Sequence, residues 1–323
     1  MNNGILLVDK PSGPTSHDVV EIARHALGIR RIGHMGTLDP LASGLLLLGI
    51  GEGTKLTPFL SDLDKAYECV ARLGARSTTH DAMGTIEAEA DPSGLDREQI
   101  EEAASRFRGT IEQRPPAFSA IKVAGRPMYD YARRGEAVEL RPRRVHVHSL
   151  DVVAYNPPDL EMRLCVSSGT YVRSIVHDLG EALGVGGYVI QLRRTRIGPF
   201  DVADTVGVTA DGAITGELEK AWRSLARALG HWTRVRLPDA LVGAVRNGGA
   251  IAAAGLEVSQ PPLEADHLYA LLDGRDRLLA VARCLVSRGD MPVFGSRGER
   301  GELVLKPVRG FNDDEQPTMN DER

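Results

Sequence analysis

Cysteine is scarce in this chain of 323 residues: Cys69, Cys165 and Cys284 stand far apart and are odd in number. Three isolated thiols argue against a disulfide framework and against a CxxC metal site. Long apolar runs are missing as well. Ile5 to Val8 is only four residues long and meets Asp9-Lys10, too short for the core of a signal peptide. No stretch approaches the roughly 20 apolar residues of a membrane span. These absences point to a soluble protein of a reducing compartment, the cytoplasm, without membrane contact. A strong charge of one sign is lacking too, with a net charge of −5 and a pI near 6.0, so bulk charge names no nucleic-acid partner. Its distribution is uneven. The residues from Asp313 to Arg323 carry five acids and one Arg, whereas Ser105 to Phe200 holds fifteen Lys/Arg against nine Asp/Glu. A basic middle suits a polyphosphate ligand and equally suits an ordinary solvated surface.

Common site signatures are absent in turn. Gly49-x-Gly51-x-Gly53 follows an apolar run, but Thr54 stands where a dinucleotide fingerprint needs glycine. His146-x-His148 has no third metal ligand nearby in sequence. No GxSxG elbow supports a Ser-His-Asp triad.

What is present reads as interleaved strands and helices. Residues 4–9 form a short buried strand bounded by Pro11-Ser12-Gly13-Pro14. Thr15 or Ser16 caps a helix whose apolar positions are Val19, Ile22, Ala23, Ala26 and Leu27. Leu45 to Ile50 is a central strand by its unbroken apolar run, and Tyr67 to Leu73 is another. Asp96 caps a helix that ends near Phe107. Val145–Tyr155 and Leu160–Val166 form a strand pair, Thr170–Leu183 a helix and Tyr188–Leu192 a strand. Without a regular βαβ beat the class is α+β, a mixed sheet flanked by helices. The weakly patterned segment 115–144 is a functional excursion. Past residue 234 a small, mostly β unit follows to about residue 310, with strands near Leu268–Leu272, Leu278–Val286 and Leu303–Val308. The acidic tail 311–323 is expected to be disordered.

One loop stands apart: Gly33-His34-Met35-Gly36-Thr37-Leu38-Asp39-Pro40. Its glycines permit positive φ, and Pro40 restricts Asp39 to extended backbone. Local chemistry leaves two readings, an Asp-Pro turn or an acid held at the mouth of a strand.

From Gly33 to Gly44 the chain resembles the signature motif of the TruB family of pseudouridine synthases. Four further segments resemble that family in order. They are Leu7 to Ser16, Lys65-x-Tyr67 with Leu73-Gly74, Pro115 to Lys122, and Ser168 to Ser174 followed by Asp178-Leu179-Gly180 and Leu192-Arg193-Arg194. The likeness spans about residues 4–205, and the C-terminal unit resembles a PUA-like RNA-binding domain less specifically.

The resemblance implies a pseudouridine-synthase fold, with a catalytic domain at 1–233, an RNA-binding insertion at about 115–144 and a PUA-like domain at 234–310. It implies an isomerase that flips the T-loop uridine at position 55 of tRNA out of its stack, then breaks and re-forms the glycosidic bond. Asp39 would be the catalytic carboxylate, with attack at C1′, attack at C6 and removal of a ribose proton all compatible. Arg173 would be its compensating cation, and Tyr67 would stack on the uracil and assist at C5. His34, Tyr67, Tyr171 and Leu192 would bind the target nucleotide. Lys122, Arg126, Arg133, Arg134, Arg141, Arg143 and Arg144 would hold the RNA backbone, with Tyr129 and Tyr131 for stacking or packing. Lys10 would support the site or touch RNA. Met35, where many members carry a smaller residue, puts RNA contacts at that point in question. No metal, cofactor or obligatory protein partner is implied, and a monomer suits the family. The alternatives are a guide-RNA-dependent, dyskerin-like synthase and a non-catalytic tRNA-folding chaperone.

Overall fold

A computed structural model describes residues 2–116, 122–123, 125–128, 131, 134, 136, 141–209, 212–252, 256, 263–285 and 303–312. Its main sheet grows around two apolar strands. β1 (Gly4–Lys10) and β3 (Ser43–Ile50) pair antiparallel along their whole length and are buried almost throughout. Such continuous Leu/Ile/Val runs fit a strand covered on both faces. Between them lie α1 (Ser16–Leu27) and the short β2 (Ile32–His34), which pairs with β3. Thr15 starts α1 through a reciprocal capping box with Asp18, settling which of Thr15 and Ser16 is the cap.

Next come β4 (Lys65–Leu73), α2 (Arg97–Ser105), β5 (Gly109–Gln113), β6 (Arg143–Asn156) and β7 (Asp159–Val166). α3 (Val172–Ala182), β8 (Gly187–Ile197), β9 (Val206–Val208), β10 (Ile214–Thr215) and β11 (Trp222–Ser224) complete the unit. Asp96 caps α2, as its sequence predicts. The order across the sheet is β10-β9-β1-β3-β8-β4-β7-β6-β5, with β2 on β3 and β11 on β1. β1 with β9 and β3 with β8 are parallel and the other neighbours antiparallel, so the sheet is mixed. β8 extends five residues beyond the predicted strand. That extension, Arg193 to Ile197, carries four consecutive polar residues, which hide its strand character, and pairs with both β3 and β4. β2 and β5 were not legible as strands, being short and glycine-containing, and both lie against longer partners.

A second sheet has the order β12 (Arg234–Arg236), β14 (Leu268–Leu272), β15 (Leu278–Cys284), β16 (Leu303–Gly310) and β13 (Ile251–Ala252), with α4 (Asp239–Arg246) beside it. It has its own apolar cluster, yet Ala270, Leu272, Leu278, Val281 and Phe311 also join the core built on β1 and β3. Glu52, 3% exposed, ties the two parts together. Its carboxylate accepts from Arg31, from Lys55 and from the backbone N–H of Asn312. Arg133, Tyr129, the Lys122 side chain and the acidic tail from residue 313 onward lie outside the described residues, whereas Phe311, expected in that tail, is buried. Among the described residues no helix is long and apolar enough to cross a membrane.

Candidate active site

The Gly33–Gly44 motif becomes β2, a tight loop and the start of β3. Both readings of Asp39 hold at once. The N–H of Ala42 donates to the Asp39 carbonyl, closing a turn over Pro40 and Leu41, while the carboxylate points into a cavity of about 320 Å³. The loop is gripped from below by three polar side chains. Arg194, 1% exposed, donates to the carbonyls of Leu45 at 2.8 Å, Gly36 at 3.2 Å and Thr37 at 3.4 Å. Ser16 Oγ donates to the Leu38 carbonyl and accepts from its N–H. The Lys10 ammonium, fully buried, donates to the carbonyls of Pro11, Pro14 and Pro40. Burial pushes Lys10 down to about 8 against an upward pull from Asp39, and the Arg194 charge adds to the downward push. Lys10 thus supports the loop from inside the core, where RNA cannot reach it.

Arg173 opens α3 and is 3% exposed. Its Nε lies 2.8 Å from Asp39 Oδ2, and its Nη1 lies 3.3 Å from Asp81 Oδ2 and donates to the Thr79 carbonyl at 2.7 Å. Two carboxylates and a carbonyl therefore surround a cation that has lost its water. That arrangement compensates the burial of Arg173 and Asp81 better than a single pair would. Asp39 is the more open of the two acids, its side chain 32% exposed against 6% for Asp81. Only Asp39 faces the cavity.

Tyr67 and Leu192, on adjacent strands β4 and β8, line the same cavity, as do Tyr171 and Lys65. Tyr67 is half-buried against the apolar cluster behind the site, and Leu192 is 7% exposed. Tyr171 stands just before α3, its backbone clasped by the Gln113 amide, which donates to its carbonyl at 3.0 Å and accepts from its N–H at 2.8 Å. Lys65 donates to the carbonyls of Ser61 and Leu63, and burial pushes it down to about 8. Three cationic side chains, Lys65, Arg173 and Arg194, thus meet one facing carboxylate, a balance suited to an anionic backbone.

The other expected residues fall elsewhere. His34 is half-buried on β2 and does not line the cavity; its Nδ1 is buried without a hydrogen-bond partner. Burial, then the charges of His17 and Arg194, lowers its pKa. Met35 is fully buried against Gly49, so it turns into the core and the question about its RNA contacts lapses. Arg126, Arg134, Arg141, Arg143 and Arg144 are exposed and away from the cavity lining. His146 and His148 pack edge to face at 4.7 Å, with Thr110 and Asp64 as their partners. Among the described residues no three His, Cys, Asp or Glu side chains converge as a metal site.

Asp81, Arg194, Lys65, Ser16 and Gln113 were not among the expected site residues. Arg194 was visible in the Leu192-Arg193-Arg194 segment, and Ser16 in the opening one. Asp81 gave no signal, because it lies in a polar turn without periodicity.

Comparison with known proteins matches the chain to one family. Residues 24–172 match the model described as TruB family pseudouridylate synthase (N terminal domain), and 173–211 match that of the tRNA pseudouridylate synthase B C-terminal domain. The chain is 44% identical over 247 residues to the tRNA pseudouridine synthase B of Azoarcus sp. strain BH72, covering 76% of this chain and 82% of that one. It is 41% identical over 286 residues to the protein of the same name from Mycobacteroides abscessus, covering 86% and 91%. Among solved structures it resembles one in a Cbf5-Nop10-Gar1 complex, with TM-score 0.71, 27% identity, and 95% and 84% coverage. A chain of an H/ACA RNP bound to a substrate RNA containing 2′-deoxyuridine gives TM-score 0.71 and 25% identity over 96% and 85%. Fold and relatives together define a pseudouridine synthase. Within that class the chain belongs to the TruB family.

Proposed function

We propose that this chain isomerises the T-loop uridine at position 55 of tRNA to pseudouridine, with Asp39 as the group that acts on the nucleotide. The observation that carries the reading is the Asp39–Arg173 ion pair at the edge of a cavity walled by Tyr67, Tyr171 and Leu192. A uridine inside a stacked loop cannot bring its ribose to a carboxylate, so the nucleotide must be extruded, at a cost of a few kcal/mol. Tyr67 offers a ring face for the flipped uracil, and Tyr171 and Leu192 enclose it. Arg173 offsets the desolvation of Asp39, so the carboxylate can lose water when RNA covers it. His34 would fill space in the T-loop from the rim rather than from within the cavity. Arg126, Arg134, Arg141, Arg143 and Arg144 would bind phosphates, together with Lys122 and Arg133. Residues 234–310 would serve as a PUA-like RNA-binding domain beside the catalytic domain of 1–233.

The test is tritium release from tRNA labelled at C5 of uridine. Asp39→Asn should abolish release while tRNA binding stays within about threefold, since the change is isosteric and acts on the chemical step. Retained turnover would overturn the reading.

The resemblance to Cbf5 structures favours a second reading, in which RNA guides and protein partners are required. The identities of 41–44% to proteins named tRNA pseudouridine synthase B, against 25–27% to chains of the Cbf5 and H/ACA complexes, favour the first. Modification of tRNA by the purified chain alone decides between them.

A further inference from the structure

Behind the cavity, the turn from Thr78 to Asp81 meets α3 through two rings that the reaction above does not use. The imidazoles of His80 and His177 lie parallel, their centroids 3.9 Å apart and their planes 7° from one another. His177 follows Arg173 by four residues, so both project from one face of α3. The helix therefore grips three consecutive residues of the turn. Arg173 takes the Thr79 carbonyl and the Asp81 carboxylate, and His177 covers the His80 ring between them.

The turn needs such a grip. His80 has φ +61°, a left-handed conformation uncommon for a residue with a Cβ. Its other side is tied to β8, where the Val189 N–H donates to the His80 carbonyl and the Ala82 N–H donates to the Val189 carbonyl. The Nδ1 atoms of both rings are buried without a hydrogen-bond partner. A buried nitrogen without a partner destabilises the fold, so the pair is a poor choice for stability alone. Burial, then His177 and Arg173, pushes His80 down to about 4, which keeps that ring neutral near pH 7. The charged and titratable groups around the stack are Arg173, Asp178 and Glu181 on α3, Asp81 on the turn, and Arg76, paired to Glu181 and Glu89.

We propose that the His80–His177 stack is a positioning device for catalysis: it fixes the Thr79–Asp81 turn so that Arg173 presents its Nε to Asp39. This rests on the reading of Asp39 as the group acting on the nucleotide. Single-turnover conversion of C5-tritiated tRNA by excess full-length protein tests it. His80→Asn removes the ring but keeps a residue that tolerates the left-handed backbone. His177→Phe keeps a flat ring without the imidazole nitrogens. His80→Asn should react about tenfold more slowly with tRNA affinity unchanged within about twofold, while His177→Phe stays within about threefold of the parent rate. Parental rate in His80→Asn overturns the proposal. So does equal slowing of both variants, and so does a His80→Asn protein that loses tRNA binding along with thermal stability. Turnover in Asp39→Asn, measured alongside, sinks the reading of Asp39 and the proposal with it. An inactive Asp39→Asn beside an unimpaired His80→Asn sinks the stack alone.

Discussion

Gly44 and Arg194 meet backbone to backbone where β3 runs parallel to β8, so closely that a Cβ on Gly44 would lie 2.2 Å from the Arg194 carbonyl oxygen. Gly44 also has φ +100°. The same Arg194 holds the Asp39 loop through Gly36 and Thr37, so one contact sets both the strand pairing and the loop.

Gly44→Ala should therefore destabilise the protein by about 2–4 kcal/mol, from overpacking and backbone strain together. In a protein of this size that lowers the melting temperature by about 3–6 °C. Gly13→Ala is the control for positive φ alone, since it has φ +113° but open space around its Cβ position. A Gly44→Ala melting point no lower than that of Gly13→Ala would refute the contact as the cause.

Asp81 holds Arg173 from the side opposite Asp39. Asp81→Asn should slow single-turnover pseudouridine formation about tenfold and leave tRNA affinity within about twofold, because it loosens the cation and not the RNA surface. Asp81→Ala should cost about 3–5 kcal/mol of stability as well, by leaving a buried charge short of a partner. Parental rates in both variants would remove Asp81 from the site.

The pH dependence of stability follows from His80. Its folded pKa, about 4, lies below the usual 6.5, so between these values the unfolded chain binds more protons than the folded one. This residue's contribution is intact above pH 6.5 and is lost as pH falls toward 4. Denaturant titrations from pH 7 to pH 4 should show a steeper fall for the parent than for His80→Asn. Parallel profiles would mean that the ring is not buried as described.

Binding to tRNA should weaken by at least about tenfold between 50 and 200 mM salt, as several phosphate contacts require. Arg143→Ala with Arg144→Ala should lower the slope by about two ion equivalents without changing the rate at saturating protein. A flat salt dependence would count against a basic clamp.

The site's backbone was legible wherever glycine, proline and a capping residue coincide, which is why the Asp39 loop and a helix cap at Thr15 or Ser16 were visible in advance. The central strands were legible from apolar runs that only a doubly covered strand can use. Arg173 and Tyr171 rested on resemblance, because a residue at the start of a helix has no local mark of facing inward. His34 rested on the same resemblance, and its ring lies outside the cavity wall, where the T-loop role expected of it would place it. Asp81 and the His80–His177 stack were illegible because they arise from a contact between a turn and a helix about a hundred residues apart.

Glu52 joins Arg31 to the backbone of Asn312, and Phe311 closes the core that β1 and β3 begin. The two sheets therefore share a melting event: heat should carry both through a single calorimetric transition. RNA held by either part would then lend thermal protection to the other, without any contact of its own there.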